Sequence, residues 1–250
     1  MEQPSATTID KALDLLFHLH GQAAAPGLSQ IARALDWPKS TTHRVLATLR
    51  ARGVVERDAR GGYRPGFALL ALGLGALERE PVAVAARPVI EALAEQLGET
   101  IFLASARAGR LLVIDKCEGP GFLRAAPRVG SEIPVHATAI GKLYLAFAPG
   151  AVAGALDATP GFTTSTRTDA AALRADVDAA RRHGWAINDE EWISGLTGIA
   201  APVCRGEHLQ GAIAVTGPSA RFAGAARQRF TGATVDAATR IGRRLEGAET

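Results

Sequence analysis

Residues 28–64 read LSQIARALDWPKSTTHRVLATLRARGVVERDARGGYR, and the fold follows from this stretch. It opens with a predicted short helix, with Ser29 as N-cap and Ile31 and Leu35 on one buried face. Asp36-Trp37-Pro38 breaks that helix, and Pro38 fits the first turn of a second one. There Thr42, Val45, Leu46 and Leu49 recur at three- and four-residue steps, which turns them toward a core. Lys39, Ser40, His43, Arg44 and Ala47 then lie on the opposite face. Gly53 ends the helix, and Val54-Val55 and Tyr63 flank a hairpin turn at Asp58-Ala59-Arg60-Gly61-Gly62. Helix, turn, helix and two-stranded wing make a winged helix-turn-helix.

The outward face of the second helix is small, polar and cationic. A DNA major groove requires such a surface, with donors for phosphate and guanine and no carboxylate to repel the backbone. The candidate DNA contacts are Lys39, Ser40, Thr41, His43 and Arg44 on the helix and Arg60 at the wing tip. The competing reading is a helical packing module whose basic residues are merely solvated. The charge census argues against it. Between Trp37 and Arg64 the basic residues are Lys39, Arg44, Arg50, Arg52, Arg57, Arg60 and Arg64, and the acids are Glu56 and Asp58 alone.

The chain has 250 residues, 47% of them hydrophobic, enough for one large domain or two ordinary ones with substantial cores. Its net charge is only +3, and residues 1–80 hold ten Lys and Arg against eight Asp and Glu. Basicity is therefore local to the helix and wing, which favours a directed DNA-facing surface over a general polycation. Cys117 and Cys204 stand in no metal-ligand spacing, so a reduced, cytoplasmic location is the expectation. The sequence MEQPSATTID does not read as a signal peptide, and no apolar run is long enough to span a bilayer. No cofactor motif stands out.

Outward from the helix-turn-helix, Thr8 is expected to cap a first helix with Ile9, Ala12, Leu13, Leu16 and Phe17 as its buried stripe. The run FALLALGLGAL at Phe67–Leu77 predicts a linker helix, too apolar to stand in water without a partner to cover it. Pro81 marks a second domain. The expected division is a DNA-binding domain at 1–66, a linker helix at 67–80 and a second domain at 81–250. The last should hold helices at about Arg87–Leu97, Thr138–Phe147, Asp169–His183 and Phe222–Leu245. Strands are expected at Ile101–Ala106, Leu111–Lys116, Phe122–Ala126, Trp185–Ile187, Ile199–Val203 and Leu209–Thr216. Strands and helices that do not strictly alternate indicate an α+β sheet domain. Thr138 can cap a helix whose first amides, at Ala139, Ile140 and Gly141, offer a carboxylate site. Leu196–Gly198 reads as a flexible loop before a strand.

The order of parts resembles the isocitrate lyase regulator (IclR) family of bacterial transcription factors, from Ile9 to about Arg243. The residues that carry the resemblance are PKSTTHRVLATLRARGVVE at Pro38–Glu56, GGYRPG at Gly61–Gly66 and PVHATAIGKLYLA at Pro134–Ala146. With them go NDEE at Asn188–Glu191, GLTGIAAPV at Gly195–Val203 and AVTGP at Ala214–Pro218. The resemblance implies a winged helix-turn-helix, a linker helix and a GAF-like effector domain that binds a small organic acid. It also implies pseudo-palindromic double-stranded promoter DNA as partner, bound by a homodimer or a dimer of dimers, as repressor or activator. Matched motif to motif, the effector-contacting positions fall on Ile133, Ala139, Ile140, Asn188, Leu196, Gly198, Ala214 and Thr216. Three departures stand out: Asn188 where family members often have Asp, Gly198 where they often have Cys, and Ala214 where they often have Ser. These predict a pocket roomier and less polar than one made for pyruvate or glyoxylate.

Two other function classes are weighed. An enzyme would draw on His136, Asp189, Glu190, Glu191, His208, Cys117 and Cys204, but the sequence holds no nucleophile elbow, phosphate loop or zincin motif. A metal-dependent sensor would use His136 with Asp189–Glu191, a set that Asn188 deprives of one carboxylate. The reading carried forward is a non-enzymatic, ligand-responsive regulator without metal or cofactor.

Overall fold

The computed structural model describes residues 7–120, 127–154, 156 and 159–247. The chain divides into two compact units, residues 1–79 and 80–250. The predicted strand at Phe122–Ala126 lies outside the described residues.

The first unit runs α1 (Thr8–Gly21), α2 (Leu28–Ala34), α3 (Lys39–Ala51), β1 (Val55–Arg57), β2 (Tyr63–Pro65) and α4 (Phe67–Glu78). Its core joins Leu15, Leu19, Ile31, Val45, Leu46, Val55 and Tyr63. Thr42, Val45 and Leu46 of α3 are buried, while Lys39, Ser40, His43, Arg44 and Ala47 are exposed. Gly53 stands at φ +66°, the left-handed position after the helix end.

The helix starts differ from expectation. Thr7, not Thr8, caps α1: its Oγ accepts from the Asp10 amide at 3.2 Å while Asp10 Oδ2 accepts from the Thr7 amide at 2.7 Å. Gly27, not Ser29, caps α2, and the Gln30 side chain accepts the Gly27 amide at 2.7 Å. The α1 stripe is also corrected. Leu15 and Leu19 are buried, with Ala12 and Leu16 beside them, whereas Ile9, Leu13 and Phe17 are 71%, 47% and 66% exposed. Helix α1 has two apolar faces, each spaced by four residues, and helical period alone cannot say which one meets the core.

The second unit runs α5 (Pro81–Leu97), β3 (Thr100–Arg107), β4 (Arg110–Cys117), α6 (Ala139–Phe147), α7 (Ala170–His183), β5 (Ala186–Asp189), β6 (Leu196–Arg205), β7 (His208–Pro218) and α8 (Gly224–Gly247). Helix α5 begins six residues earlier than predicted, because Pro88 sits inside it and not in its first turn. Pro88 leaves the Val84 carbonyl without its helical partner, and both residues are exposed, so water can satisfy it. Leu196–Gly198 is strand, not loop: it opens β6 and pairs with β7.

The strands form one antiparallel sheet in the order β4-β3-β7-β6-β5. Strand alternation assigns its two faces. Phe102, Ala104, Ala200, Ala212 and Ala214 join Ile140, Leu143 and Tyr144 of α6 and Leu173 and Val177 of α7 in one core. The opposite residues, such as Leu103, Ile199, Val203 and Ile213, are fully buried under α5 and α8. Close approach there depends on Gly242, where a Cβ would fall 2.5 Å from the Cys204 carbonyl oxygen.

Of the buried charged residues described in this unit, Lys142 is the most enclosed. The Lys142 side chain, 2% exposed, donates to Glu191 Oε1 at 2.6 Å, Asp176 Oδ2 at 2.7 Å and the Ile187 carbonyl at 3.2 Å. Glu191 is buried too, and its Oε2 has no hydrogen-bond partner among the described residues. Removing one member of such a pair leaves an uncompensated charge. Lys142→Met should therefore cost the second unit about 3 kcal/mol. Adding Glu191→Leu should restore most of the loss, both read by urea unfolding.

Candidate functional site

The first candidate surface is the outer side of α3 and the wing. Lys39, Ser40, His43, Arg44 and Arg60 are exposed, and Thr41 is half-buried. Both acids of this region are occupied by the structure itself. Asp58 Oδ1 accepts from the amides of Arg60 at 3.0 Å and Gly62 at 2.7 Å, which folds the wing turn. Glu56 accepts the Phe67 amide at 2.9 Å and pairs with Arg64 at 3.3 Å. Arg57 is likewise engaged: it donates to the Gly61 carbonyl at 3.0 Å and lies over the Tyr63 ring. The outward face of α3 is thus cationic, with the nearby carboxylates turned to backbone or Arg64.

The second candidate is a cavity of about 40 Å³ in the second unit. Its floor comes from strand register. Asn188 pairs with Gly198, and Gly198 with Thr216, so these three form one rung across β5, β6 and β7. Successive same-face positions lie two residues apart, so Ala186, Ala200, Ala214 and Phe102 form the next rung. The start of α6 lies over this floor with Thr138, Ala139 and Ile140, and Trp192 and Ile193 enter from the β5–β6 connection. Leu196 and Pro127 complete the lining.

Of the predicted effector positions, Ala139, Ile140, Asn188, Leu196, Gly198, Ala214 and Thr216 line this cavity. Two do not. Ile133 is 1% exposed within the core beside Leu111 and Leu143. Gly141 is buried against Val135, and its amide donates to Thr138 Oγ at 3.1 Å. A Cβ on Gly141 would fall 2.0 Å from the Val135 carbonyl oxygen, so glycine there answers a packing need. Lys142 points into the buried ion cluster and not toward the ligand space. Sequence reasoning missed Phe102, Thr138 as a lining residue, Trp192, Ile193 and Pro127. Phe102 was readable from strand alternation; Trp192 and Ile193 sit in a turn with no periodic signal.

Gly198 and Ala214 do open the floor, and a Cβ at Gly198 would meet nothing closer than 3.7 Å. Phe102, Trp192 and Ile193 line the cavity with them. The lining is mainly apolar.

The parts weighed for catalysis or metal binding are committed elsewhere. His136 Nε2 meets the Pro160 carbonyl at 2.9 Å, and its ring stacks on Phe162. Asp189 holds Arg227 and Thr197, and Glu190 Oε2 accepts the Gly195 amide at 2.8 Å. Burial pushes the thiols of Cys117 and Cys204 above their ordinary range, away from the reactive thiolate. Among the described residues no group of three or more His, Cys, Asp or Glu could hold a metal ion.

A winged helix-turn-helix with a cationic outward helix face, followed by a separate α+β sheet domain with a small apolar cavity, defines a two-domain DNA-binding regulator. Residues 8–59 match the IclR helix-turn-helix domain, and residues 74–243 match the bacterial transcriptional regulator IclR C-terminal domain. The chain belongs to the IclR family of transcriptional regulators. It is 35% identical to the glycerol operon regulatory protein of Streptomyces griseus over 95% of this chain and 96% of that one. It is 35% identical to the regulator BhcR of Paracoccus denitrificans over 93% of this chain and 85% of that one. The fold is shared with an IclR homologue from Microbacterium hydrocarbonoxydans crystallised with 4-hydroxybenzoate. There the TM-score is 0.86 at 24% identity, covering 97% of this chain and 100% of that one.

The Gly141 contact yields a prediction. Gly141→Ala should lower the stability of the second unit by more than about 2 kcal/mol, because backbone and not a flexible side chain must yield. Thermal unfolding of the two proteins side by side measures it.

Proposed function

We propose that this protein is a non-enzymatic regulator that binds pseudo-palindromic promoter DNA as a homodimer or a dimer of dimers. A small organic acid in the second-unit cavity modulates that binding. The observation that carries the reading is the exposed face of α3, where Lys39, Ser40, Thr41, His43 and Arg44 present donors without a carboxylate among them. Arg60 extends the charge onto the wing. Support for an acid effector comes from the start of α6. The Gly141 amide is taken by Thr138, while those of Ala139 and Ile140 belong to residues that line the cavity. The Microbacterium homologue's ligand is itself an organic acid. Effector contacts are assigned to Ala139, Ile140, Asn188, Leu196, Gly198, Ala214 and Thr216. No helix among the described residues is long and apolar enough to cross a membrane, in keeping with a DNA-binding protein of the cytoplasm.

Pairing of chains is supported by two apolar surfaces of the first unit. Ile9, Leu13 and Phe17 on α1 are exposed, as are Phe67, Leu70, Leu72 and Leu74 on α4. Helix α4 buries none of its own residues within the chain. A second copy would remove these stripes from water and set two reading helices against half-sites roughly 34 Å or a multiple apart.

Mobility-shift titration on the operator tests the DNA half. Arg44→Ala should cost at least about 1 kcal/mol of specific binding and relax discrimination at one base pair. Arg60→Ala should weaken all sequences alike and flatten the salt dependence. Unchanged operator binding by both variants overturns the assigned orientation. For assembly, Leu70→Asp with Leu74→Asp should shift light scattering toward smaller species, since two carboxylates enter an apolar contact.

A further inference from the structure

We propose that the open groove between α3 and the wing is the track of one DNA strand, and that Arg50 and Arg57 grip that strand's phosphates. This rests on the reading of α3 and the wing as the DNA-facing surface and adds to it the path of the backbone. Neither arginine is among the contacts already assigned, which lie on the first half of α3 and at the wing tip.

The groove has a volume of about 580 Å³. Ala47, Arg50 and Ala51 of α3 line it together with Gly53 and with Glu56 and Arg57 of β1. Ala47 and Ala51 are exposed and one helical turn apart, so the groove runs along the edge of the outward face. An α-helix with its side chains is about 10–12 Å across, and the major groove of B-DNA is about 12 Å wide. A helix seated there fills the groove from strand to strand. Whatever stands beside the helix on the same surface faces a sugar–phosphate strand and not base edges. The wing stands beside α3, and the groove is the space between them.

The chemistry of the groove suits such a strand. Ala47, Ala51 and Gly53 carry nothing beyond a Cβ, which lets a backbone approach closely. Arg50 is exposed, and its side chain makes no hydrogen bond or ion pair among the described residues. Arg57 is held ready. Its Nε donates to the Gly61 carbonyl at 3.0 Å, and its guanidinium lies 5.7 Å from the centroid of the buried Tyr63 ring. The N–H groups on the two terminal nitrogens are left over, and a guanidinium already fixed in place loses little freedom on meeting a phosphate. One carboxylate borders the groove, that of Glu56, and it is engaged by the Phe67 amide and by Arg64. The groove therefore carries a net positive charge.

Fluorescence-anisotropy titrations of the full chain at several salt concentrations test this. The probes are a duplex that the parent protein selects from a randomised pool and a scrambled duplex of the same length. Arg50→Ala and Arg57→Ala should each weaken both duplexes at least about five-fold and by the same factor, because phosphates carry no sequence. Each should lower the slope of log K against log salt by about 0.9 per bound copy, the counterion release of one phosphate. Arg52→Ala removes the same charge from an exposed residue outside the groove and should leave the slope unchanged. Arg57→Lys should keep the parent's slope but bind less tightly, since the charge stays while the fork and its Gly61 contact go. Arg50 makes no bond within the fold, so Arg50→Ala tests the track even where Arg57→Ala loosens the wing. A parent-like slope in Arg50→Ala, an equal drop in Arg52→Ala, or a loss confined to the selected duplex overturns the track while the DNA-facing reading stands. Failure of the parent protein to bind either duplex overturns that reading itself.

Discussion

The buried Lys142 ammonium is the constraint around which the second unit is arranged. It reaches from α6 to Asp176 on α7, to the Ile187 carbonyl on β5 and to Glu191 in the β5–β6 connection. Burying an ion is costly, and the cost is met here only while all three acceptors stay in place. The same contact therefore fixes a helix pair, an edge strand and a turn. The turn is tied a second time, because Thr163 and Thr166 donate to the carbonyls of Glu190 and Glu191. From it Trp192 and Ile193 close the cavity. A charge outside the cavity thus sets the position of groups that line it.

The cavity and the ion cluster meet at Asn188. Its carbonyl oxygen holds the Glu191 amide, and Glu191 holds Lys142. The cavity wall at Asn188 is thus two hydrogen bonds from the buried ammonium. Coupling of this kind needs no long pathway, since a shift of the turn alters the acceptors of a group that cannot tolerate losing them.

Much of this was legible in the sequence where chemistry repeats with a period. The α3 stripe of Thr42, Val45 and Leu46, the Thr138 cap and the β3–β4 hairpin are local patterns with local causes. What escaped depends on the third dimension. The α1 face was misread because Ile9, Leu13 and Phe17 have the same spacing as a core stripe. Gly141 looked like part of a ligand cradle, yet the carbonyl of Val135 requires it. Trp192 and Ile193 went unread as lining because they arrive from the β5–β6 connection, which carries no period. Lys142 gave no sign of burial, since its partners lie 34 and 49 residues away.

Helix α4 reads in the sequence as a tether between domains, but its opening turn belongs to the DNA-reading unit. The Gly66 amide donates to the Val54 carbonyl at 2.8 Å and the Ala68 amide to the Gly53 carbonyl at 3.1 Å, with the Phe67 amide on Glu56 between them. A Cβ at Gly66 would fall 2.3 Å from the Gly53 carbonyl oxygen, so the two backbones are in contact. Three consecutive amides are thereby soldered to the end of α3 and to the wing. Mechanically, α4 is a crank and not a hinge. Any turn of its first residues carries the wing and the end of α3 with it as one piece.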